Sequence, residues 1–206
     1  MEIGTFLCDV LRVDDVEILK QVSEITTAFS TKKGNLVITQ GERQEDFIFL
    51  VTGIFRGFYL GADGKENTDC FGVLPGTPCM SVSINNGISP ISIEAVTPCE
   101  FIKISGKQLT PLIDSNPFLL KIYNEILRTA MQIHWDLKIM VTQHTPMERY
   151  RWFLDSYPGL IDHACSKDIA SFLGMSPVTF SRLKKLYREI ESTDESRSMK
   201  GKNILY

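Results

Sequence analysis

The sequence predicts an α+β protein: an antiparallel β-barrel of the double-stranded β-helix type, then a long helix, then a helical C-terminal domain. Three observations predict this order. Short β-branched and aromatic runs alternate with glycine-containing breaks, a heptad of apolar residues follows, and the last segment has helical spacing around a turn glycine. We divide the chain into an N-terminal helical segment (1–30), the barrel (31–110), the long helix (111–145) and the C-terminal domain (146–206).

The first two segments differ in how clearly they are patterned. Residues 14–29 are loosely periodic and are predicted to be helical. Strands are predicted at 36–39, 47–51, 54–60, 91–96 and 99–104, separated by glycine-containing turns, as in an antiparallel barrel or sandwich. Asp63-Gly64 is the strongest hairpin turn.

The long helix carries apolar residues at alternating spacings of four and three, from Leu119 to His144. This heptad pattern favours a parallel homodimer. A long helix that packs only within its own chain is the alternative. The residues of the predicted dimer seam are Leu119, Tyr123, Ile126, Ala130, Ile133, Leu137 and Met140.

Residues 166–185, SKDIASFLGMSPVTFSRLKK, have the spacing of a helix-turn-helix. Ile169 and Leu173 lie on one helical face, and Gly174 can adopt the positive φ at which a first helix ends. Ser176 is a suitable N-cap, and Pro177 suits the first turn of a second helix. An ordinary helical hairpin would not need all of these residues at these offsets.

Charge is distributed unevenly along the chain, whose formal net charge is −3. Residues 147–206 contain ten Lys and Arg against eight Asp and Glu, whereas residues 1–146 contain twelve against seventeen. Because phosphate attraction depends on the local field, the acidic total does not exclude DNA as a partner. The candidate DNA-binding residues are Ser166, Lys167, Ser176, Pro177, Val178, Thr179, Ser181, Arg182, Lys184, Lys185, Lys200 and Lys202, the last two on a possible β-wing.

Composition argues against an enzyme. A cupin-like metal site needs histidines inside the barrel, and the first of the three histidines is His134, beyond it. The chain has no G-x-S-x-G, Walker or G-x-G-x-x-G motif, and we expect no metal site. Five scattered cysteines without CxxC, no signal peptide and no membrane-length apolar run favour a cytoplasmic protein.

Barrel, long helix and C-terminal helix-turn-helix, in this order, resemble the Crp/Fnr family of bacterial transcription regulators. The resemblance depends on residues 32–66, KKGNLVITQGERQEDFIFLVTGIFRGFYLGADGKE, on ERYRWFLDSYP (148–158), and on the helix-turn-helix stretch. It implies a cyclic-nucleotide-binding-like barrel, a winged helix-turn-helix, double-stranded DNA with inverted-repeat half-sites, and RNA polymerase as a further partner.

The loop that would hold a cyclic nucleotide departs from the family pattern. Family members that bind cyclic AMP carry a Gly-Glu pair and, about ten residues later, an Arg-Ser; here the Glu falls at or near Cys79 and the Arg-Ser on Ser89-Pro90. No Lys or Arg lies between Lys65 and Lys103, and Arg56 is expected to face solvent. We therefore expect no cyclic AMP cofactor. The candidate effector pocket is neutral, and its residues are Cys79, Met80, Ser81, Val82, Ser89, Pro90 and Ile91.

Other functions remain open on these residues. The helix-turn-helix of a non-catalytic interaction protein could dock a protein partner, and a cyclic nucleotide could bind through unexpected contacts. The reading helix also departs from the family: Pro177-Val178 stand where Arg-Glu is frequent, so the operator should differ from that of cyclic-AMP-responsive members.

Overall fold

The computed structural model describes residues 2–79 and 87–202, with side chains up to residue 190. The chain forms two compact units, Met1–Lys138 and Ile139–Tyr206, and the longest helix contributes to both. Within the described residues, no helix combines the length and the apolar character that a membrane span requires.

The N-terminal segment is only partly helical. α1 (Ile3–Thr5) and a π-helical turn (Phe6–Val10) precede α2 (Val16–Glu24), which Asp15 caps by accepting a 2.9 Å hydrogen bond from the Ile18 amide. The prediction of a helix to residue 29 is wrong, because β1 (Thr26–Thr31) pairs along its whole length with a later strand. Cross-strand pairing has overridden weak helical periodicity.

Two antiparallel sheets form the barrel. The three-stranded sheet has the order β1-β7-β3, and the four-stranded sheet has the order β2-β6-β4-β5. The remaining strands are β2 (Leu36–Ile38), β3 (Phe47–Thr52), β4 (Phe55–Leu60), β5 (Glu66–Gly72), β6 (Ser92–Ala95) and β7 (Cys99–Ile104).

The apolar run of β3 is explained by burial on both faces. Phe47 and Phe49 pack in a cluster with the N-terminal helices, while Ile48 and Leu50 pack in the cluster between the two sheets. A strand that is buried on both faces has no solvent-exposed side for polar residues, so its sequence is a continuous apolar run.

The β4–β5 hairpin contains the turn that the sequence predicted. Gly64 has φ +74°, and the Gly61 amide donates to the Lys65 carbonyl at 2.9 Å. β5 itself was not predicted, because ENTDCFG is largely polar and lies at the edge of its sheet.

Two helices complete the first unit. α3 (Gly106–Ser115) leads into α4 (Pro117–Gln143), and Leu119 at the start of α4 is buried in the core cluster of this unit. Tyr123 packs edge-on against Phe47, with ring centroids 6.0 Å apart, and Ile126 lies against the same cluster. The first three residues of the predicted dimer seam therefore contact their own chain.

The second unit is helical. α5 (Pro146–Ser156) begins with a capping box in which hydrogen bonds from the backbone and side chain of Thr145 lower the pKa of Glu148. A 3-10 turn (Leu160–Asp162) precedes α6 (Ser166–Phe172) and α7 (Pro177–Lys202).

The wing proposed near Lys200 and Lys202 is not formed by the described residues. The backbone of α7 continues to Lys202. Residues 203–206 lie outside the described part of the chain.

Candidate functional site

The turn between α6 and α7 has the geometry that the sequence indicated. Gly174 has φ +62°, its amide donates to the Ser171 carbonyl at 3.0 Å, and the Met175 amide donates to the Ala170 carbonyl at 2.9 Å. This pair of hydrogen bonds is the Schellman motif, which ends a helix at a residue in the left-handed region. α6 and α7 are thus joined by a short, fully hydrogen-bonded turn.

Apolar packing fixes the two helices against α5. Ile169, Leu173 and Phe180 are fully buried. The Tyr150 ring packs edge-on against Phe180, with centroids 5.6 Å apart, and Phe172 stacks against Trp152 at 6.2 Å. Aromatic residues of the ERYRWFLDSYP segment therefore pack against both α6 and α7.

The start of α7 is capped as predicted. The Ser176 hydroxyl accepts a 3.1 Å hydrogen bond from the Thr179 amide, and Pro177 is the first residue of the helix. The cap gives the Thr179 amide a hydrogen-bond partner, and Pro177 has no amide hydrogen that would need one. These two features define where α7 begins, and therefore where its outward side chains lie.

Most of the candidate DNA-binding side chains share exposure to solvent. Val178 is 60% exposed, although it is apolar. Thr179 is half-buried, with its hydroxyl 2.9 Å from that of Ser176, and Lys184 is also half-buried. The exposed members are Ser166, Lys167, Ser176, Pro177, Val178, Ser181, Arg182 and Lys185, whereas the side chains of Lys200 and Lys202 are outside the described set.

Arg188 extends the basic surface and was not among the predicted site residues. Together with Ser181, Lys184, Lys185 and Glu189 it lines a shallow depression of about 440 Å³ on α7. Glu189 lies 3.9 Å from Lys185, so it offsets part of the positive charge. Arg188 lies four residues after Lys184 and therefore on the same face of the helix, and this spacing could have predicted it from the sequence.

The interior of the barrel is filled by side chains at two glycines. A Cβ at Gly72 would clash with the Phe55 ring, and a Cβ at Gly57 would lie 2.6 Å from the Cys70 sulfur. Phe55 also packs against Phe101, with ring centroids 6.2 Å apart. Glycine at these positions lets an aromatic ring and a thiol occupy space that larger residues would take.

The thiols of the interior are kept neutral. Burial, with a further contribution from Asp69, raises the pKa of Cys70 to about 12. Burial likewise raises the pKa of Cys79 and of Cys99. These side chains are therefore protonated at neutral pH and present no charge to a ligand.

The predicted effector pocket is only partly described. Cys79, Ser89 and Ile91 are buried, Pro90 is exposed, and Met80, Ser81 and Val82 lie outside the described residues. The Ser89 hydroxyl donates to the Ile91 carbonyl at 2.7 Å, so it is engaged within its own loop.

Arg56 does not face solvent, and that prediction was wrong. It is 5% exposed; its Nε donates to Glu94 at 2.6 Å, and an Nη donates to Glu66 at 2.7 Å. The guanidinium also lies over the Phe58 ring, 4.3 Å from the centroid. Two carboxylates on the neighbouring strands compensate the charge, which allows an arginine to be buried on a β-strand.

Among the described residues, no group of three or more His, Cys, Asp or Glu side chains is arranged to hold a metal ion. The arrangement offers two surfaces for function: the basic outer face of the helix-turn-helix and the neutral, packed barrel.

Comparison with known proteins relates the barrel to a known domain. Residues 29–116 match the family model of the cyclic nucleotide-binding domain, a range that begins within β1 and extends through α3. No curated protein is significantly similar to the chain in sequence.

Solved structures extend the likeness to the C-terminal unit. FixK2 from Bradyrhizobium japonicum is 20% identical, with a TM-score of 0.71 over 81% of this chain and 86% of that one. The c-di-GMP responsive global regulator CLP from Xanthomonas campestris is 14% identical, with a TM-score of 0.68 over 85% and 93%. A protein described as a transcriptional regulator of the Crp/Fnr family, from Eubacterium rectale, is 18% identical, with a TM-score of 0.68 over 86% and 84%. The chain therefore has the fold of the Crp/Fnr regulators, and the resemblance in the sequence is confirmed at the level of the fold.

Proposed function

We propose that this protein is a homodimeric, sequence-specific DNA-binding transcription regulator of the Crp/Fnr type, acting in the cytoplasm, whose barrel does not bind cyclic AMP. The observation that carries the proposal is the exposed polar and basic face of α7 behind a correctly formed helix-turn-helix turn. The resemblance to the family adds RNA polymerase as an expected partner.

The outer face of the helix-turn-helix supports a division of roles. Arg182 is exposed near the start of α7, where a recognition helix meets base edges, and a guanidinium can bind guanine through two hydrogen bonds. Lys185, Arg188 and Lys167 are exposed cations that suit phosphate contacts, which add affinity without sequence preference.

The exposed part of α4 supports a dimer. Leu119, Tyr123 and Ile126 pack on their own chain, so a partner would use apolar side chains further along the helix. Met131 is 65% exposed and Trp135 is 51% exposed, and Ile133 and Ile139 are also exposed. Ile133 lies on the heptad face, and its exposure leaves an apolar side chain there for a partner to cover.

The barrel supports a function without cyclic AMP. Arg56 is engaged by Glu94 and Glu66, and Phe55 and Cys70 fill the interior beside Gly72 and Gly57. A buried phosphate needs a guanidinium or ammonium partner, and the sequence between Lys65 and Lys103 has neither.

A second candidate function is protein docking by the helix-turn-helix. The exposed apolar residues Val178, Leu186 and Ile190 on α7 favour it. Salt dependence separates the two functions, because phosphate neutralisation makes binding fall steeply with salt, whereas a largely apolar protein contact does not require this.

The test is a selection of bound sequences from random duplexes, made with the wild type, Arg182→Ala and Lys167→Ala. We expect an inverted repeat with half-site centres roughly 10 base pairs apart, because a two-fold dimer presents two recognition helices one DNA turn apart. Arg182→Ala should relax preference at one base pair of each half-site, at a cost of ~1–3 kcal/mol. Lys167→Ala should weaken binding to all duplexes alike and flatten the salt slope by about one unit.

Two results would contradict the proposal. One is a selection that recovers no palindrome with the wild-type protein. The other is an unchanged motif with Arg182→Ala, which would show that this side chain does not read a base.

A further inference from the structure

The guanidinium of Arg149 on α5 contacts the last carbonyl groups before the turn of the helix-turn-helix. Its Nη1 donates to the Leu173 carbonyl at 2.7 Å and to the Gly174 carbonyl at 3.1 Å. Carbonyl groups at the end of a helix have no partner within the helix and carry the negative end of its dipole. A cation in this place satisfies both needs at once.

Gly174 has a positive φ, and there is no room for a side chain at this point. A Cβ there would lie 2.7 Å from Val141 Cγ1 and 3.2 Å from Arg149 Nη1. The turn is therefore held between the last turns of α4 and the first turn of α5, all within the second compact unit.

The rest of the Arg149 guanidinium is not fully hydrogen-bonded. Its Nε is buried and makes no hydrogen bond within the described part of the chain. A buried donor without a partner is unfavourable, so the two carbonyl contacts and the packing hold the side chain in this position.

We infer that Arg149 is a positioning residue for DNA recognition: by holding the carbonyl groups of Leu173 and Gly174, it fixes the angle at which α7 is presented to the major groove. The inference rests on the proposed function and deepens it. If the turn is loosened, only a fraction of molecules has both helices aligned, and the affinity for a specific site falls by that fraction. Non-specific attraction to phosphate depends on the number of cations and changes little.

The test compares Arg149→Met with Arg149→Lys and with Arg151→Met. Arg151 is exposed on the same helix, so its replacement removes the same charge without touching the turn. The first readout, without DNA, is amide hydrogen exchange of Gly174 and Met175, whose amides donate within the turn. The second is affinity for the selected operator and for a scrambled duplex, each over a range of salt.

We expect Arg149→Met to speed exchange at these two amides and to weaken operator binding by roughly tenfold or more, because tenfold corresponds to the loss of one charged hydrogen bond and the guanidinium makes two. Scrambled-duplex affinity and the salt slope should match those of Arg151→Met. Arg149→Lys, which keeps the charge and a donor, should recover part of both effects. If Arg149→Met does not fold, Arg149→Gln takes its place.

Unchanged exchange in Arg149→Met would overturn the inference whatever the DNA result. Equal losses on operator and scrambled duplex, with a flatter salt slope than Arg151→Met, would show a direct phosphate contact instead. If the wild type has no preferred duplex, the regulator proposal fails, and exchange alone decides whether Arg149 holds the turn.

Discussion

Arg56 is a buried cation on the four-stranded sheet, and its environment explains why it is stable there. Its guanidinium binds a carboxylate on each neighbouring strand, Glu94 on β6 and Glu66 on β5, and it covers the Phe58 ring. Glu94 and Glu66 retain some exposure, which reduces the desolvation cost of the group. The cluster links three strands through side chains.

Removal of the guanidinium should therefore be costly. We expect Arg56→Met to lower the free energy of unfolding by roughly 3 kcal/mol, because two partly buried carboxylates lose their counter-charge. The triple variant with Glu94→Gln and Glu66→Gln should recover a large part of the loss. Urea unfolding followed by circular dichroism measures both, and a loss below ~1 kcal/mol for Arg56→Met would show that the pair contributes little.

At the scale of single residues, the sequence predicted the backbone conformation of a turn glycine, but it did not predict contacts between residues that are far apart in the chain. The positive φ of Gly174 followed from its place in the helix-turn-helix spacing. The side chains of Val141 and Arg149 that lie beside it come from other helices, and no local sequence pattern predicts these contacts. Arg56 was misplaced for the same reason, since its two carboxylate partners lie on other strands.

Among the elements, α4 is the one whose periodicity has two interpretations. A heptad stripe identifies the face that is buried but not the molecule that buries it, because packing within a chain and between chains needs the same spacing. Leu119, Tyr123 and Ile126 turn out to pack on the first unit. Ile133, which is on the same stripe, is exposed, so the expected dimer contact moves towards the C-terminal half of the helix.

This revised contact gives a direct test of the dimer. The double variant Ile133→Glu with Leu137→Glu, two neighbours on the heptad face of α4, should sediment as a monomer, because an interface there would bury unpaired carboxylates at a cost of several kcal/mol. The control, Asn124→Glu with Gln132→Glu, adds the same charge at exposed polar positions away from the heptad face of α4 and should stay dimeric. A dimer in the first double variant would place the interface elsewhere.

Strands were predictable where burial is two-sided and not where pairing alone defines them. β3 follows from its apolar run, and β7 from its β-branched and aromatic residues. β1 has the polar sequence TTAFST and exists because it pairs with β7, and β5 is a polar edge strand paired with β4. Tertiary hydrogen bonding decides such segments, so local propensity cannot.

For the whole molecule, the division into units separates two kinds of surface. The first unit, Met1–Lys138, contains the barrel with its neutral interior, and the second, Ile139–Tyr206, contains the basic helix-turn-helix. The acidic net charge of the chain thus belongs to the first unit, and it does not lower the positive charge of the second.

The charges of the described barrel residues predict how the protein responds to cyclic AMP. A ligand phosphate would find the Arg56 guanidinium already bound by two carboxylates, and the thiols of Cys70 and Cys79 are uncharged. Each charge-assisted hydrogen bond that the ligand lacks costs ~1.5–3 kcal/mol of affinity. Calorimetric titration with cyclic AMP up to millimolar concentration should therefore give no binding heat.

A thermal-unfolding scan with the same ligand is the necessary companion measurement, because binding can occur with little heat. We expect the melting temperature to stay constant and operator affinity to be the same with and without cyclic AMP. Cyclic GMP serves as a matched second nucleotide with the same phosphate. A micromolar dissociation constant for either nucleotide would mean that residues 80–86, or a rearranged Arg56, supply the missing contacts, and the barrel would then be a nucleotide sensor.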